Sequence, residues 1–351
     1  MIITNAEVWS VEMELSESYN IAYEKVDKAV NIFLRLETNS GIIGYGCAAP
    51  DEKVTGETPD KVLKVIKEII IPSIMKKDPL RAAMLLELIK KNLKGHPSAL
   101  AALDLSLYDI LGKTCNMPVW RLLGGFRKNI KTSITIGILP EKETLERARS
   151  WIKKGFRCLK LKGGLDVDSD IDRLRKLREV VGFDVEIRFD ANQGFSVFDS
   201  IKFFEETRNS QIELIEQPTR RDEYDKLKRV TKGVNIPVMA DESLVTLRDA
   251  FRIARYELCD MVNIKLMKVG GISEAIQINA VAKSAGLEAM VGCMDESALG
   301  IAAGLHFALS RPNVIYADLD GHLSLVDDPF KDSVILKKGI LYPTEKPGLG
   351  I

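Results

Sequence analysis

Charged residues close a series of short apolar runs along the middle of the chain. Lys160 and Lys162 end the run Cys158–Lys162. Asp190 ends Val185–Asp190, Glu216 ends Ile212–Glu216 and Asp241 ends Pro237–Asp241, and Lys265 and Lys268 complete the series. Asp190, Glu216 and Asp241 are spaced 26 and 25 residues apart. Three carboxylates brought to one point repel unless protonated or bound to a cation. Oxygen-only ligation suits a hard ion, so the trio predicts one Mg²⁺ per subunit, with water or substrate completing its shell. The lysines supply the complementary chemistry. An ordinary lysine titrates near about 10.4 and is a poor base at neutral pH, and lowering it by roughly three units takes about 4 kcal/mol of differential interaction. Lys160 shares a face with Lys162 by strand alternation, and Lys265 neighbours Lys268, so each prospective base has an ammonium that disfavours its own charge. Lys162 and Lys268 on opposite sides of one carbon can remove a proton from one face and return it to the other. The cation, bound to an adjacent carboxylate, offsets the enediolate charge. This is 1,1-proton transfer next to a carboxylate, a racemisation or epimerisation.

Such groups converge only if the strands are parallel and closed into a ring. From about residue 129 the sequence carries that rhythm. Eight short apolar strands begin at Ile130, Cys158, Val185, Ile212, Pro237, Met261, Leu287 and Val314, with a helical stretch after each of the first seven. They do not alternate in polarity, as expected when both faces are buried. No GxGxxG signature points instead to an open nucleotide-binding sheet. Residues 1 to about 125 read differently. An alternating strand starts at Val30, Asn39-Ser-Gly41 is a turn, and Ile42 begins the partner strand; helices follow around 59–76, 80–94 and 98–113. That is an α+β layout. Ser333–Leu341 reads as a further hairpin in a tail expected to pack on the first domain.

The 351 residues, 46% hydrophobic, suffice for a large core, and 50 basic against 50 acidic residues argue against a general nucleic-acid or membrane-surface binder. Five scattered cysteines without a CxxC pair suggest neither a zinc site nor a disulfide framework. With no signal peptide and no apolar run of membrane-span length, a cytoplasmic protein is expected.

These segments resemble the enolase superfamily, specifically the muconate lactonizing enzyme subgroup. The resemblance rests on Lys160-Leu-Lys162, Asp190-Ala-Asn192, Glu216-Gln-Pro218, Ala240-Asp-Glu-Ser243 and Asn263-Ile-Lys-Leu-Met-Lys268-Val-Gly-Gly271. In the first domain it extends to Ala102-Leu-Asp104, Asp109, Gly112-Lys113 and Leu122-Leu-Gly-Gly125. It implies an α/β fold: a modified TIM barrel, (β/α)₇β, with an N-terminal α+β capping domain completed by the C-terminal tail. The corresponding bounds are 1–125 for the cap, 126–322 for the barrel and 323–351 for the returning tail. It assigns metal ligation to Asp190, Glu216 and Asp241 and acid/base roles to Lys162 and Lys268, supported by Lys160, Asn192 and Lys265. Within the subgroup, Gly292-Cys-Met-Asp-Glu-Ser297 and Asp318-Leu-Asp320 look like dipeptide epimerases, in which the D-x-D pair receives the substrate α-ammonium. Association into a homo-oligomer is also implied.

Substrate-facing positions are then expected at Tyr23, Glu24, Thr135, Met294, Asp295, Asp318 and Asp320. Relatives acting on alanyl-glutamate carry an arginine near Glu24. Acids at Glu24 and Asp295, with Asp51 as a third, therefore point to dipeptides with basic or neutral side chains. Competing readings are an N-acylamino acid racemase, an o-succinylbenzoate synthase or a cycloisomerase of the same subgroup. Outside it stand a Schiff-base lyase using Lys162 or Lys268 and a non-catalytic binding protein. His306, inside an apolar helix, reads as packed. The methionines Met261, Met267, Met290 and Met294 read as core or pocket wall.

Overall fold

The computed structural model describes residues 1–21 and 24–351, with side chains throughout except those of 17–26. Three antiparallel strands open the chain: β1 (Ile3–Ile21), β2 (Glu24–Thr38) and β3 (Ile43–Ala48). The turn at Asn39-Ser-Gly41 places Gly41 at φ 79°, where glycine bears no steric cost. Helical segments follow over 59–74 and 82–90, then Pro97–Thr114. The first is interrupted by a π segment, Ile66–Ile70, just before Pro72, which has no N–H to give to the preceding turn. The long strand β1 is absent from the sequence reading.

The second unit is an eight-stranded parallel sheet. Its strands are β5 (Ile134–Ile136), β6 (Cys158–Lys162), β7 (Glu186–Asp190), β8 (Ile215–Glu216), β9 (Val238–Ala240), β10 (Met261–Lys265), β11 (Glu288–Gly292) and β12 (Val314–Asp318), paired in that order. A bridge between Thr132 and Ala317, with Ser133 N–H donating to Ala317 O at 3.1 Å, brings the last strand against the first. The expected first strand is split. A short strand β4 (Ile130–Lys131) leaves the ring and pairs with the tail hairpin β13 (Val334–Lys337) and β14 (Ile340–Pro343). The hairpin thus augments the barrel base, and the tail meets the cap elsewhere. Leu349 N–H donates to Asp109 Oδ1 at 2.8 Å, and Val326 N–H donates to Glu14 O at 2.9 Å. Gly112 is required where this tail crosses: a Cβ there would lie 2.6 Å from Gly348 Cα.

The barrel floor is filled by Leu214, Met239, Met261 and Met290 around a buried cation, Arg188. Arg188 Nε donates to Glu213 at 2.9 Å and Nη1 to Ala317 O at 2.9 Å, and its guanidinium lies over Tyr316. All five cysteines are free thiols. No helix among the described residues is long and apolar enough to cross a membrane.

His306 is fully buried in the helix Ala298–Ser310, and its Nδ1 accepts from Trp120 N–H at 2.9 Å. Burial pushes its pKa down from 6.5 to about 4. Below pH 6.5 the unfolded chain therefore takes up a proton that the folded chain refuses. This contribution to stability is complete above pH 6.5 and is lost as pH falls through about 4, and it is worth about 3 kcal/mol. His306→Asn keeps an acceptor for Trp120 N–H but cannot titrate. Urea unfolding at pH 7 and pH 4.5 should show a smaller acid destabilisation in this variant than in wild type; equal pH dependence would exclude His306 as the source.

Candidate active site

The barrel gathers the charged strand ends at one mouth, as parallel closure requires. β6 and β10 stand four places apart in the ring of eight, so Lys162 and the Lys268 turn approach from opposite sides. Between them, β7, β8 and β9 bring up Asp190, Glu216 and Asp241. Lys160 Nζ lies 3.1 Å from Asp190 Oδ2, 2.9 Å from Glu216 Oε2 and 2.9 Å from Asp318 Oδ2. Burial opposes its charge, yet Asp190, Asp318, Glu216 and Asp241 hold its pKa well above the usual lysine value. It is a permanent cation among acids.

Asp241 is bound on both oxygens. Lys265 Nζ lies 2.8 Å from Oδ2, and Lys268 Nζ donates to Oδ1. Burial pushes Asp241 up, but Lys265, Lys268 and Lys160 overrule it and hold the carboxyl far below its ordinary range. The two lysines diverge. Lys265 is buried, yet Asp241 keeps it strongly protonated. Lys268 is pushed below the ordinary value by burial, with Lys265 acting in the same direction against the pull of Asp241. Its backbone is fixed by the cap domain. Asp104 accepts from Ser273 N–H and Ser273 Oγ–H and from Ile272 N–H at 2.5 Å, which caps the helix beginning at Ile272 just past Lys268. Gly271, at φ 103°, leaves no room for a Cβ beside Asp104. Asp104 and Gly271, which the sequence offered only as parts of the resemblance, thus meet across the cap and barrel.

Glu216 is fully buried. Burial, with Asp190 and Asp241 beside it, raises its pKa to about 8 against the pull of Lys160. Asn263 Nδ2 donates to its Oε1 at 2.8 Å, while Oε2 makes no well-directed hydrogen bond although Lys160 is close. Among the described residues, oxygens of Asp190, Glu216 and Asp241 are not all within 4.8 Å of one another. Lys160 draws the first two and Lys265 the third. The donor set nevertheless fits a hard cation: carboxylate oxygens from three adjacent strands, one of them lacking a good donor. Among the described residues, the cluster that does meet that spacing, Cys158, Glu186 and Glu213, lies at the opposite end of the strands, paired with Lys131 and Arg188.

Over the mouth is a cavity of about 510 Å³ bordered by Thr135, Lys162, Asn192, Met294, Asp295 and the Asp318–Asp320 pair. Asp318 accepts from Ser133 Oγ at 2.6 Å; against burial, Lys160 and Ser133 bring its pKa to about 2. Asp320 accepts from Thr135 N–H at 2.6 Å, and burial together with Asp318 raises it to about 6. The backbone N–H of Asn192, a residue at φ 43°, donates to Asp190 Oδ1 at 2.9 Å. Lys268 sits beneath, turned inward by its bond to Asp241, and borders a second cavity of about 530 Å³ between cap and barrel. Asp51 spends Oδ1 on Lys53 N–H and Val54 N–H, closing its own turn. Beside Asp51 and Asp295 the cavity wall also carries the basic residues Lys28, Lys53, Arg147 and Lys154. Tyr23 and the side chain of Glu24 lie outside the described residues. Sequence reasoning missed Ser133, Asn263 and Glu242. Asn263 carried a signal, being two residues before Lys265 and so on the same strand face. Glu242 borders both cavities, with burial raising it to about 7.

Fold and site define a capped (β/α)₇β barrel with its charged chemistry at the strand C-termini. Residues 143–351 match the family described as enolase C-terminal domain-like, and residues 3–124 match the mandelate racemase / muconate lactonizing enzyme N-terminal domain. The chain belongs to this family, the enolase superfamily. It is 38% identical over 352 residues to the L-Lys-D/L-Arg epimerase of Desulforapulum autotrophicum, covering 100% of this chain and 99% of that one. It superposes with a TM-score of 0.98 and 36% identity on a substrate-liganded L-Ala-D/L-Glu epimerase from Bacillus subtilis, covering 100% and 99% of the two chains. A dipeptide epimerase from Enterococcus faecalis V583, complexed with Mg and L-Leu-L-Tyr, gives 0.96 and 36% over the same shares.

Proposed function

We propose that this chain is a dipeptide epimerase that moves the α-proton next to the substrate carboxylate from one face to the other. The observation that carries the reading is the pair of lysines four strands apart, with the three acids between them. Lys162 and Lys268 are the two acid/bases, each taking or returning the proton at the α-carbon. Asp190, Glu216 and Asp241 would hold Mg²⁺, which supplies positive charge beside the substrate carboxylate. Lys160, set between Asp190 and Glu216, and Lys265, beside Asp241, support the trio, and the backbone N–H of Asn192 steadies Asp190. Asp318 and Asp320 receive the α-ammonium, with Thr135 N–H fixing Asp320. That free ammonium favours a dipeptide over the N-acylated and cycloisomerase substrates. The working unit is a homo-oligomer of a cytoplasmic protein. The test is α-proton exchange in D₂O over a dipeptide panel, with and without Mg²⁺. Exchange on no dipeptide, or equal exchange after EDTA, sinks the reading.

Among dipeptides, basic or neutral side chains are preferred over Ala-Glu, because Asp295 faces the cavity. Asp295→Asn should lower kcat/KM about tenfold for lysyl or arginyl dipeptides, about 1.4 kcal/mol, and leave neutral ones unchanged. Fastest turnover of acidic dipeptides by wild type would end this preference.

A further inference from the structure

β2 alternates between two cores. Ile32, Leu34 and Leu36 pack beneath the cap helices, whereas Phe33 turns into the barrel core. Asn31 shares Phe33's face and is 1% exposed. Its Oδ1 accepts from Ser297 N–H at 2.8 Å and from the Cys47 thiol at 3.4 Å, and its Nδ2 donates to Asp295 O at 3.0 Å. One cap side chain thus holds the backbone of a barrel loop on both a donor and an acceptor. Asp328 grips the same loop, accepting from Ser297 Oγ at 2.6 Å and from Ala298 N–H at 2.7 Å. Ala29 and Val30, just before Asn31, and Met294 and Asp295, in the held loop, all border the substrate cavity.

We infer that Asn31 is a positioning residue for substrate discrimination, fixing the cap wall and the Met294–Ser297 wall of the cavity in one register. The inference rests on the dipeptide reading above. Asn31 touches neither lysine nor any of the three acids, so it acts on binding and selectivity and leaves proton transfer alone. Alanine removes both loop bonds. Aspartate, nearly the same shape, keeps an acceptor for Ser297 N–H but cannot donate to Asp295 O.

The test uses full-length Asn31→Ala and Asn31→Asp enzymes with Mg²⁺, measuring KM and kcat on neutral and basic dipeptides and amide exchange over residues 294–298. Asn31→Ala should raise KM at least tenfold with kcat within twofold, flatten the contrast between side chains, and lose protection at Ser297. Asn31→Asp should keep that protection and recover part of the KM. Faster exchange at Ser297 with unchanged KM would reduce Asn31 to a structural role and overturn the inference, as would a loss confined to kcat. If the alanine variant does not fold, the aspartate variant decides alone, by a KM at least threefold above wild type. A wild type inactive on the whole panel overturns the dipeptide reading and this inference with it; an active wild type with an unaffected Asn31→Ala overturns only the latter.

Discussion

Lys162→Ala and Lys268→Ala should each lower epimerisation by about 1000-fold, within the range that a positioned general base contributes. The two variants should nevertheless fail differently. In the reading proposed above each lysine serves one face of the α-carbon, so one diastereomer would present its proton to Lys162 and the other to Lys268. A variant that keeps a single base should still exchange the α-proton of one diastereomer for deuterium without inverting it. Mass spectrometry on L- and D-configured dipeptides in D₂O separates the cases. The expected outcome is complementary: the diastereomer that exchanges in one variant is silent in the other. Exchange of both diastereomers in both variants would mean that neither lysine is the base. Silence of both in both would mean that the lysines hold the site together and move no proton. The environments differ as well. Lys268 loses part of its affinity for a proton through burial and Lys265, and it sits against Asp241 on the far side from the main cavity. Lys162 borders that cavity directly.

The ring of strands was legible because buried parallel strands write themselves as short apolar runs, and because five consecutive runs, from Cys158 to Lys265, end on a charge. The trio and the lysines at Lys160, Lys162, Lys265 and Lys268 could be located from that pattern alone. What could not be read was which acid answers which lysine. Lys160 belongs to Asp190 and Glu216, on the next two strands, and to Asp318, and only closure of the barrel makes β12 a neighbour of that ammonium. The inward turn of Lys268 is invisible for the same reason: it follows from a single bond to Asp241 across strands. Contacts between cap and barrel were the least legible. Asp104 and Asn31 are ordinary polar residues in a helix and a strand, and their partners lie 168 and more than 260 residues away. The splitting of the first barrel strand escaped because Ile130–Ile138 reads as continuous, whereas β4 is taken by the tail hairpin.

Glu216→Gln should abolish activity, by at least about 1000-fold, without costing stability. Ordinarily, removing one partner of a buried charge cluster is strongly destabilising. Glu216 differs because the fold already resists its ionisation: burial, with Asp190 and Asp241, raises its pKa to about 8. A folded-state pKa above the unfolded one means that its stabilising contribution is complete below pH 4.5 and is lost as pH rises through about 8. At neutral pH the folded protein therefore gains nothing from the negative charge, and glutamine, which keeps an oxygen for Asn263, reproduces the neutral form. What glutamine cannot reproduce is the anionic oxygen that hard-cation binding requires. In wild type, Mg²⁺ at 100 times its Kd should raise stability by about 2.7 kcal/mol, and in Glu216→Gln that increment should vanish. Thermal unfolding with and without Mg²⁺, beside the exchange assay, reads both quantities on one sample. A variant that melts no lower than wild type in EDTA, gains nothing from Mg²⁺ and turns over no dipeptide identifies Glu216 as a ligand whose charge is held against the preference of the fold. A variant that melts much lower in EDTA would instead make the carboxylate part of the scaffold, and retained turnover would remove Glu216 from the chemistry altogether.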